Sequence, residues 1–180
     1  MKRLVLMRGP SGSGKSTYVS DKYPEAIVCS ADGFFMRSGE DIESPALRRI
    51  PRPPEEKVYD FNPSQLGQAH AWCHGKVLEA MNNGCKKNTI VVDNTLIHLW
   101  ECQNYIDLGL MMGYKIEIIE IGVETIVQLK ACIKRNAHRV PTEVVAKMAL
   151  EFEPFCIDPD DMRRFHIVIR KLPMKGVSGV

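Results

Sequence analysis

Residues 9 to 16 read Gly-Pro-Ser-Gly-Ser-Gly-Lys-Ser and put three glycines, three hydroxyls and a lysine into one octet. The spacing is G-x-x-x-x-G-K-S. Glycines at these places let the backbone curl until successive N–H groups point inward, at the oxygens of a phosphate chain. In such a loop Lys15 reaches the β and γ phosphates and the Ser16 hydroxyl ligates Mg²⁺. The cradle set is Gly9, Ser11, Gly12, Ser13, Gly14, Lys15, Ser16 and Thr17, with Thr17 one residue too late for the metal. The implied ligands are ATP or GTP, as phosphate donor, and Mg²⁺.

Two carboxylates could work beside that cradle. Asp93 closes the run Thr-Ile-Val-Val-Asp, 89–93. An Asp there can act on Mg²⁺, directly or through water, or on a phosphoryl acceptor. A turn or helix cap is the other reading, although Asn94 and Thr95 are better cap candidates. Asp32 follows Ala-Ile-Val-Cys-Ser, 26–30, by two residues. It can take the proton of an attacking hydroxyl, while Asp32-Gly33 is also a turn signal. A phosphate loop and two acids at strand ends converge, and that favours chemistry.

Arg135 and Arg139 stand one helical turn apart just before Pro141. They suit charge stabilisation of a transferring phosphoryl group, and equally a solvated helix end favoured by the dipole. Phe34 and Phe35 can stack on a base or pack in the core. His70 and His74 are i, i+4 with no accompanying carboxylate motif, which reads as a helix face.

Strands and helices must position these groups. Residues 2–8 are a short apolar strand, and a helix runs from Lys15 to about Lys22. Buried strands are expected at 26–30 and 89–93, an alternating one at 115–121 and a last one at 165–170. Helices are expected from Pro63 with Leu66, Ala69, Cys73, Val77 and Ala80 inward, then over 97–112, 123–136 and 141–152. The stretch 31–62 has no clear period and forms a long excursion. Alternation of this kind predicts an α/β fold with a mostly parallel five-stranded sheet flanked by helices. One domain, 1–171, is expected, with a flexible tail over 172–180. Sites in such sheets lie beyond the carboxyl ends of the strands, where the loop, Asp32 and Asp93 all fall.

The chain has 180 residues, 44% hydrophobic and 26% charged, with a formal charge of +2. That is ordinary for a globular domain and too mild to argue for nucleic acid by itself. No run is long enough to span a membrane, and the N-terminal apolar run is too short for a signal peptide. The six cysteines, Cys29, Cys73, Cys85, Cys102, Cys132 and Cys156, form no C-x-x-C pair. They read as reduced thiols of an intracellular protein.

The loop at 9–16, Ser-Ala-Asp-Gly-Phe-Phe, Val-Val-Asp-Asn-Thr and Lys-Arg-Asn-Ala-His-Arg-Val-Pro occur in that order. This set resembles the polynucleotide 5′-kinases, of the bacteriophage type and of the kinase-like domains of Nedd-binding proteins. Tyr-Asp-Phe-Asn-Pro-Ser-Gln-Leu-Gly-Gln-Ala-His-Ala-Trp, 59–72, resembles the latter more closely. The resemblance covers residues 3 to about 152 and implies an adenylate-kinase-like P-loop domain with a helical lid. It implies Lys15 and Ser16 on the triphosphate and Mg²⁺, and Asp32 as general base for a 5′-hydroxyl. It further implies Asp93 on the acceptor side, and Arg139 as a lid arginine with Arg135 nearby. The phage-type acceptor-phosphate arginine would fall at Phe35; Arg37 is close but would reach from a different point, and Arg48, Arg49 and Arg52 could substitute or equally be solvated loop charges. The implied activity is transfer of a γ-phosphate to the 5′-hydroxyl end of RNA or DNA, with fusion to or association with end-healing enzymes. A small-molecule hydroxyl kinase and a nucleotide-binding module without turnover are the alternatives.

Overall fold

The computed structural model describes residues 1–37, 58–83, 88–138 and 140–177, with the side chains of Arg37 and Val58 outside the description. The strands are β1 (Arg3–Arg8), β2 (Ile27–Cys29), β3 (Met36–Arg37), β4 (Val58–Tyr59), β5 (Thr89–Asp93), β6 (Lys115–Glu120) and β7 (Ile167–Lys171). The helices are α1 (Lys15–Lys22), α2 (Leu66–Asn82), α3 (Leu99–Met111), α4 (Ile126–Arg135), α5 (Thr142–Leu150) and α6 (Pro159–Arg164). Short 3₁₀ turns occupy Ala31–Phe35 and Pro63–Gln65.

Five strands form one sheet in the order β2-β5-β1-β6-β7, and every neighbouring pair is parallel. Because β1 is central and its neighbours come later in the chain, the strand order reverses there, which opens a crevice at its carboxyl end. Side chains alternate across the sheet and build a core on each face. Leu4 and Leu6 join Ile90, Val92 and Ile116 under α2 and α3, where Cys73, Val77, Cys102 and Ile106 pack. Val5 and Met7 join Val91 and Ile119 on the other face, with Val19 of α1, Cys132 of α4 and Val145 of α5.

Several expectations shift. β2 is an edge strand, so Val28 is 48% exposed rather than buried. Leu66 lies outside the inward face of α2, at 41% exposed, because the helix only begins there. β6 is buried along both faces, and Glu117 and Glu120 are buried with its isoleucines. Each acid has a cation: Arg170 Nε lies 2.7 Å from Glu117, and Glu120 pairs with Arg8. α6 had no periodic signal, being a single turn-and-a-half capped by Asp158. The tail expected to be loose packs as far as Val177: Met174 is 3% exposed beside Cys132, and the Leu172 amide donates to the Glu120 carbonyl at 2.8 Å. Its apolar residues cover the α1 and α4 face. Among the described residues no helix is long and apolar enough to cross a membrane.

Candidate active site

The chain leaves β1 into the glycine loop at the crevice. Gly9 takes φ +140°, and a Cβ there would lie 2.3 Å from the Ile121 carbonyl oxygen. Gly12 takes φ +78°, and its Cβ would lie 2.1 Å from the Cys132 carbonyl of α4. Only glycine satisfies both the left-handed backbone and the close approach. The Gly9 amide donates to the Thr95 carbonyl at 2.8 Å, which fixes the loop to the segment after β5.

Lys15 is 8% exposed, and its Nζ donates to the Gly9 and Pro10 carbonyls at 2.9 Å each. Burial pulls its pKa below the usual lysine value, opposed chiefly by the Asp93 carboxylate, then by Cys132 and Asp32. Three donors on the ammonium and two carbonyls on it leave one N–H for a phosphate oxygen. Ser16 and Thr17 are exposed at the start of α1. Two buried side-chain oxygens among the described residues meet no partner, Ser13 Oγ and Asp93 Oδ1. Buried polar atoms of that kind call for a ligand or ion. Together with an open Ser16 hydroxyl they fit Mg²⁺ bound partly through phosphates and water rather than by an all-protein cage. No cluster of three or more His, Cys, Asp or Glu able to hold a metal occurs among the described residues.

Asp32 sits on the 3₁₀ turn after β2. Ser30 caps that turn by accepting the Asp32 amide at 3.2 Å, and Asn94 Oδ1 accepts the Ala31 amide at 2.8 Å. Asn94 is itself buried, with its amide 3.5 Å from Cys73 Sγ. The Asp32 side chain is 46% exposed. Tyr59 donates its hydroxyl to Asp32 Oδ1 at 2.9 Å, and His138 Nε2 lies 3.5 Å from Oδ2. Burial, with the neighbouring carboxylate, pushes the Tyr59 hydroxyl pKa well up.

The structure thus brings the cradle, Lys15, Asp32 and Asp93 to one edge of the sheet. Phe35 is in the core at 1% exposed, against Phe61 and Tyr59, and Phe34 packs edge-on to Trp72. His74 packs its ring 5.4 Å from Tyr105 on a helix face. Arg135, expected near the donor phosphates, instead donates to the carbonyls of Lys175 and Gly176 at 2.9 and 3.4 Å. The last turn of α4 runs against the ordered C-terminal segment, and the two enclose an open cavity of about 480 Å³ with Val127, Ala131 and Lys134. Arg139, the Arg37 side chain, and Arg48, Arg49 and Arg52 lie outside the described residues.

Sequence reasoning missed Tyr59, His138, Asn136 and Asn94 as members of the site. Tyr59 and His138 reach Asp32 from 27 and 106 residues away in sequence, through a two-strand ribbon and a helix connection. Asn94 was visible only as a cap candidate.

A family model described as an AAA domain, AAA_33, matches residues 4–155. The chain is similar to human NEDD4-binding protein 2, 28% identical over 159 residues, which cover 87% of this chain. It spans 8% of that protein's length. Among solved structures it resembles a sugar kinase from Janibacter sp. HTCC2649, with a TM-score of 0.57 and 17% identity over 97% of this chain and 87% of that one. It also resembles a gluconokinase from Sinorhizobium meliloti 1021, with a TM-score of 0.51 and 14% identity over 97% and 86%. These two establish the fold, an α/β P-loop kinase architecture with an all-parallel sheet.

Proposed function

We propose that this chain, which belongs to the AAA_33 family of AAA domains and is a P-loop NTP-dependent kinase, transfers the γ-phosphoryl group of ATP or GTP to the 5′-hydroxyl end of RNA or DNA. The observation that carries the reading is Asp32: a half-exposed carboxylate, anchored by Tyr59, at the same sheet edge as Lys15 and Asp93. An open acid there suits a hydroxyl at the end of a large acceptor. The motif order shared with polynucleotide 5′-kinases supports the same acceptor.

In this reading the acceptor hydroxyl oxygen attacks the γ-phosphorus while Asp32 takes its proton. The bond from the γ-phosphorus to the bridging oxygen breaks, and the nucleoside diphosphate leaves. Lys15 compensates the charge that spreads over the transferring group and the leaving oxygens. Mg²⁺, when bound, neutralises the phosphate oxygens; Ser16 would hold it, with Asp93 acting on it through water or on the acceptor side. Arg139 would add a second cation from the connection between α4 and α5. Association with, or fusion to, end-healing enzymes belongs to the same reading.

Radiolabelled γ-phosphate transfer tests it, with 5′-hydroxyl RNA and DNA, a nucleoside and gluconate offered as acceptors. Label on an oligonucleotide with the wild type, and none with Asp32→Ala at unchanged triphosphate affinity, supports both acceptor and base. Label on the small hydroxyl compounds alone transfers the reading to a small-molecule kinase. Triphosphate binding without label on any acceptor would leave a nucleotide-binding module.

A further inference from the structure

The geometry points to Tyr59 and His138 as positioning residues for the Asp32 carboxylate, with His138 coupling that carboxylate to the phosphate cradle. The inference rests on the reading of Asp32 as the general base. A base must be held within a narrow range of orientations relative to the hydroxyl it serves. Asp32 is 46% exposed on a short turn, so its own packing does little to hold it.

Tyr59 supplies the first hold. Its hydroxyl donates to Oδ1 at 2.9 Å, and its ring stacks on Phe61 at 6.2 Å, with the planes 8° apart. Tyr59 also pairs in register with Met36, immediately after the turn that carries Asp32. The Asp60 amide closes that ribbon on the Phe35 carbonyl at 2.9 Å. The tyrosine is therefore referenced to Asp32's own segment.

His138 supplies the second hold, beside Tyr59 and on the other carboxylate oxygen. Its ring centroid lies 4.6 Å from that of Tyr59, and its Nε2 lies 3.5 Å from Asp32 Oδ2. That separation exceeds a hydrogen bond and can close with a small shift. His138 stands on the connection between α4 and α5, and Asn136 on the same connection touches the cradle. Ser11 Oγ donates to Asn136 Oδ1 at 3.2 Å, and Asn136 Nδ2 donates back to the Val140 carbonyl at 2.6 Å. Asn136 thus touches the phosphate site two residues before His138 meets the carboxylate. A rearrangement at Ser11 when phosphates fill the cradle moves His138 against Asp32.

Two measurements on the intact protein test this. In transfer assays, Tyr59→Phe keeps the ring and removes the hydroxyl, and is expected to lower kcat about tenfold with donor affinity unchanged. His138→Ala is expected to do the same, and His138→Gln to recover part of the loss. A kcat within twofold of wild type for both Tyr59→Phe and His138→Ala would overturn the positioning role. Independently of any acceptor, NMR of ring-labelled histidine follows His138 as a non-hydrolysable ATP analogue and Mg²⁺ are added. Its resonance is expected to move in the wild type and to stay put in Asn136→Ala at saturating nucleotide. No movement in the wild type, or equal movement in the variant, would overturn the coupling. Should the wild type transfer to no hydroxyl at all, the base reading falls, and the NMR result alone decides the coupling.

Discussion

Asn94 Oδ1 accepts the Ala31 amide at 2.8 Å, so the residue after one candidate carboxylate, Asp93, holds the residue before the other, Asp32. Asn94 is 6% exposed, and its own amide is directed at Cys73. Removing its side chain leaves the Ala31 N–H without a partner in a half-buried place. Asn94→Ala is expected to cost about 1–3 kcal/mol of stability. It should also lower kcat by more than the loss of folded protein explains. Urea unfolding beside transfer kinetics checks both; unchanged kcat per folded molecule would make Asn94 a purely structural residue.

Arg8 and Glu120 form a buried pair at the carboxyl ends of β1 and β6. Arg8 is 0% exposed, pairs in register with Glu120, and donates to the carbonyls of Leu96, Ile97 and Glu153 at 2.9, 3.1 and 2.9 Å. Its guanidinium also faces the Phe152 ring at 5.0 Å. Breaking one side strands a buried charge, so Arg8→Met is expected to cost about 3–5 kcal/mol. The double variant Arg8→Met with Glu120→Leu should recover part of that loss, as equilibrium unfolding would show.

These two residues mark what the sequence does and does not disclose. The glycine loop, β5 ending at Asp93 and the helix at Lys15 were legible because each rests on local chemistry: glycine backbone freedom, an unbroken apolar run, a helix start. Arg8 was not, since a cation at a strand end reads as solvated until the register sets Glu120 opposite it. The alternation of β6 hides its burial, because its two acids are buried against cations, Glu120 on the buried Arg8 and Glu117 on the exposed Arg170. Tyr59 and His138 depend on tertiary approach alone. Met174 read as tail because one buried methionine gives no period.

In the proposed transfer Arg139 would supply the donor-side cation. Arg139→Ala is expected to lower kcat by about 10³-fold, close to 4 kcal/mol, with triphosphate affinity changed far less. A change below tenfold in single-turnover transfer would return it to an ordinary surface charge.

The cysteines should react in a set order. Burial pushes the Cys102 thiol up to about 11 and raises Cys73 and Cys132 as well, whereas Cys156 is exposed. A raised thiol pKa keeps the thiolate scarce at mildly alkaline pH, and burial withholds access. Iodoacetamide on the native protein is therefore expected to label Cys156 ahead of Cys29, Cys73, Cys102 and Cys132. Peptide mass spectrometry reads the order; early labelling of Cys102 would mean that α3 opens locally.

Gly12 is where the cradle meets α4. A Cβ at that position would stand 2.1 Å from the Cys132 carbonyl oxygen and 3.0 Å from its Cα, both backbone atoms of α4, at φ +78°. Neither the loop nor the helix can yield cheaply, because Cys132 is buried against Met174 and Asn136 ties the end of α4 to Ser11. Gly12→Ala is therefore expected to push the loop off the helix and weaken triphosphate binding by at least about tenfold, some 1.4 kcal/mol. Gly14 also takes a left-handed backbone, at φ +99°, but a Cβ there meets nothing within 4 Å. Gly14→Ala should consequently cost only the conformational strain, about 1–2 kcal/mol, and hurt binding less than Gly12→Ala. Titration of a fluorescent ATP analogue into both variants separates them, and equal losses would show that backbone strain, not contact with α4, governs the cradle.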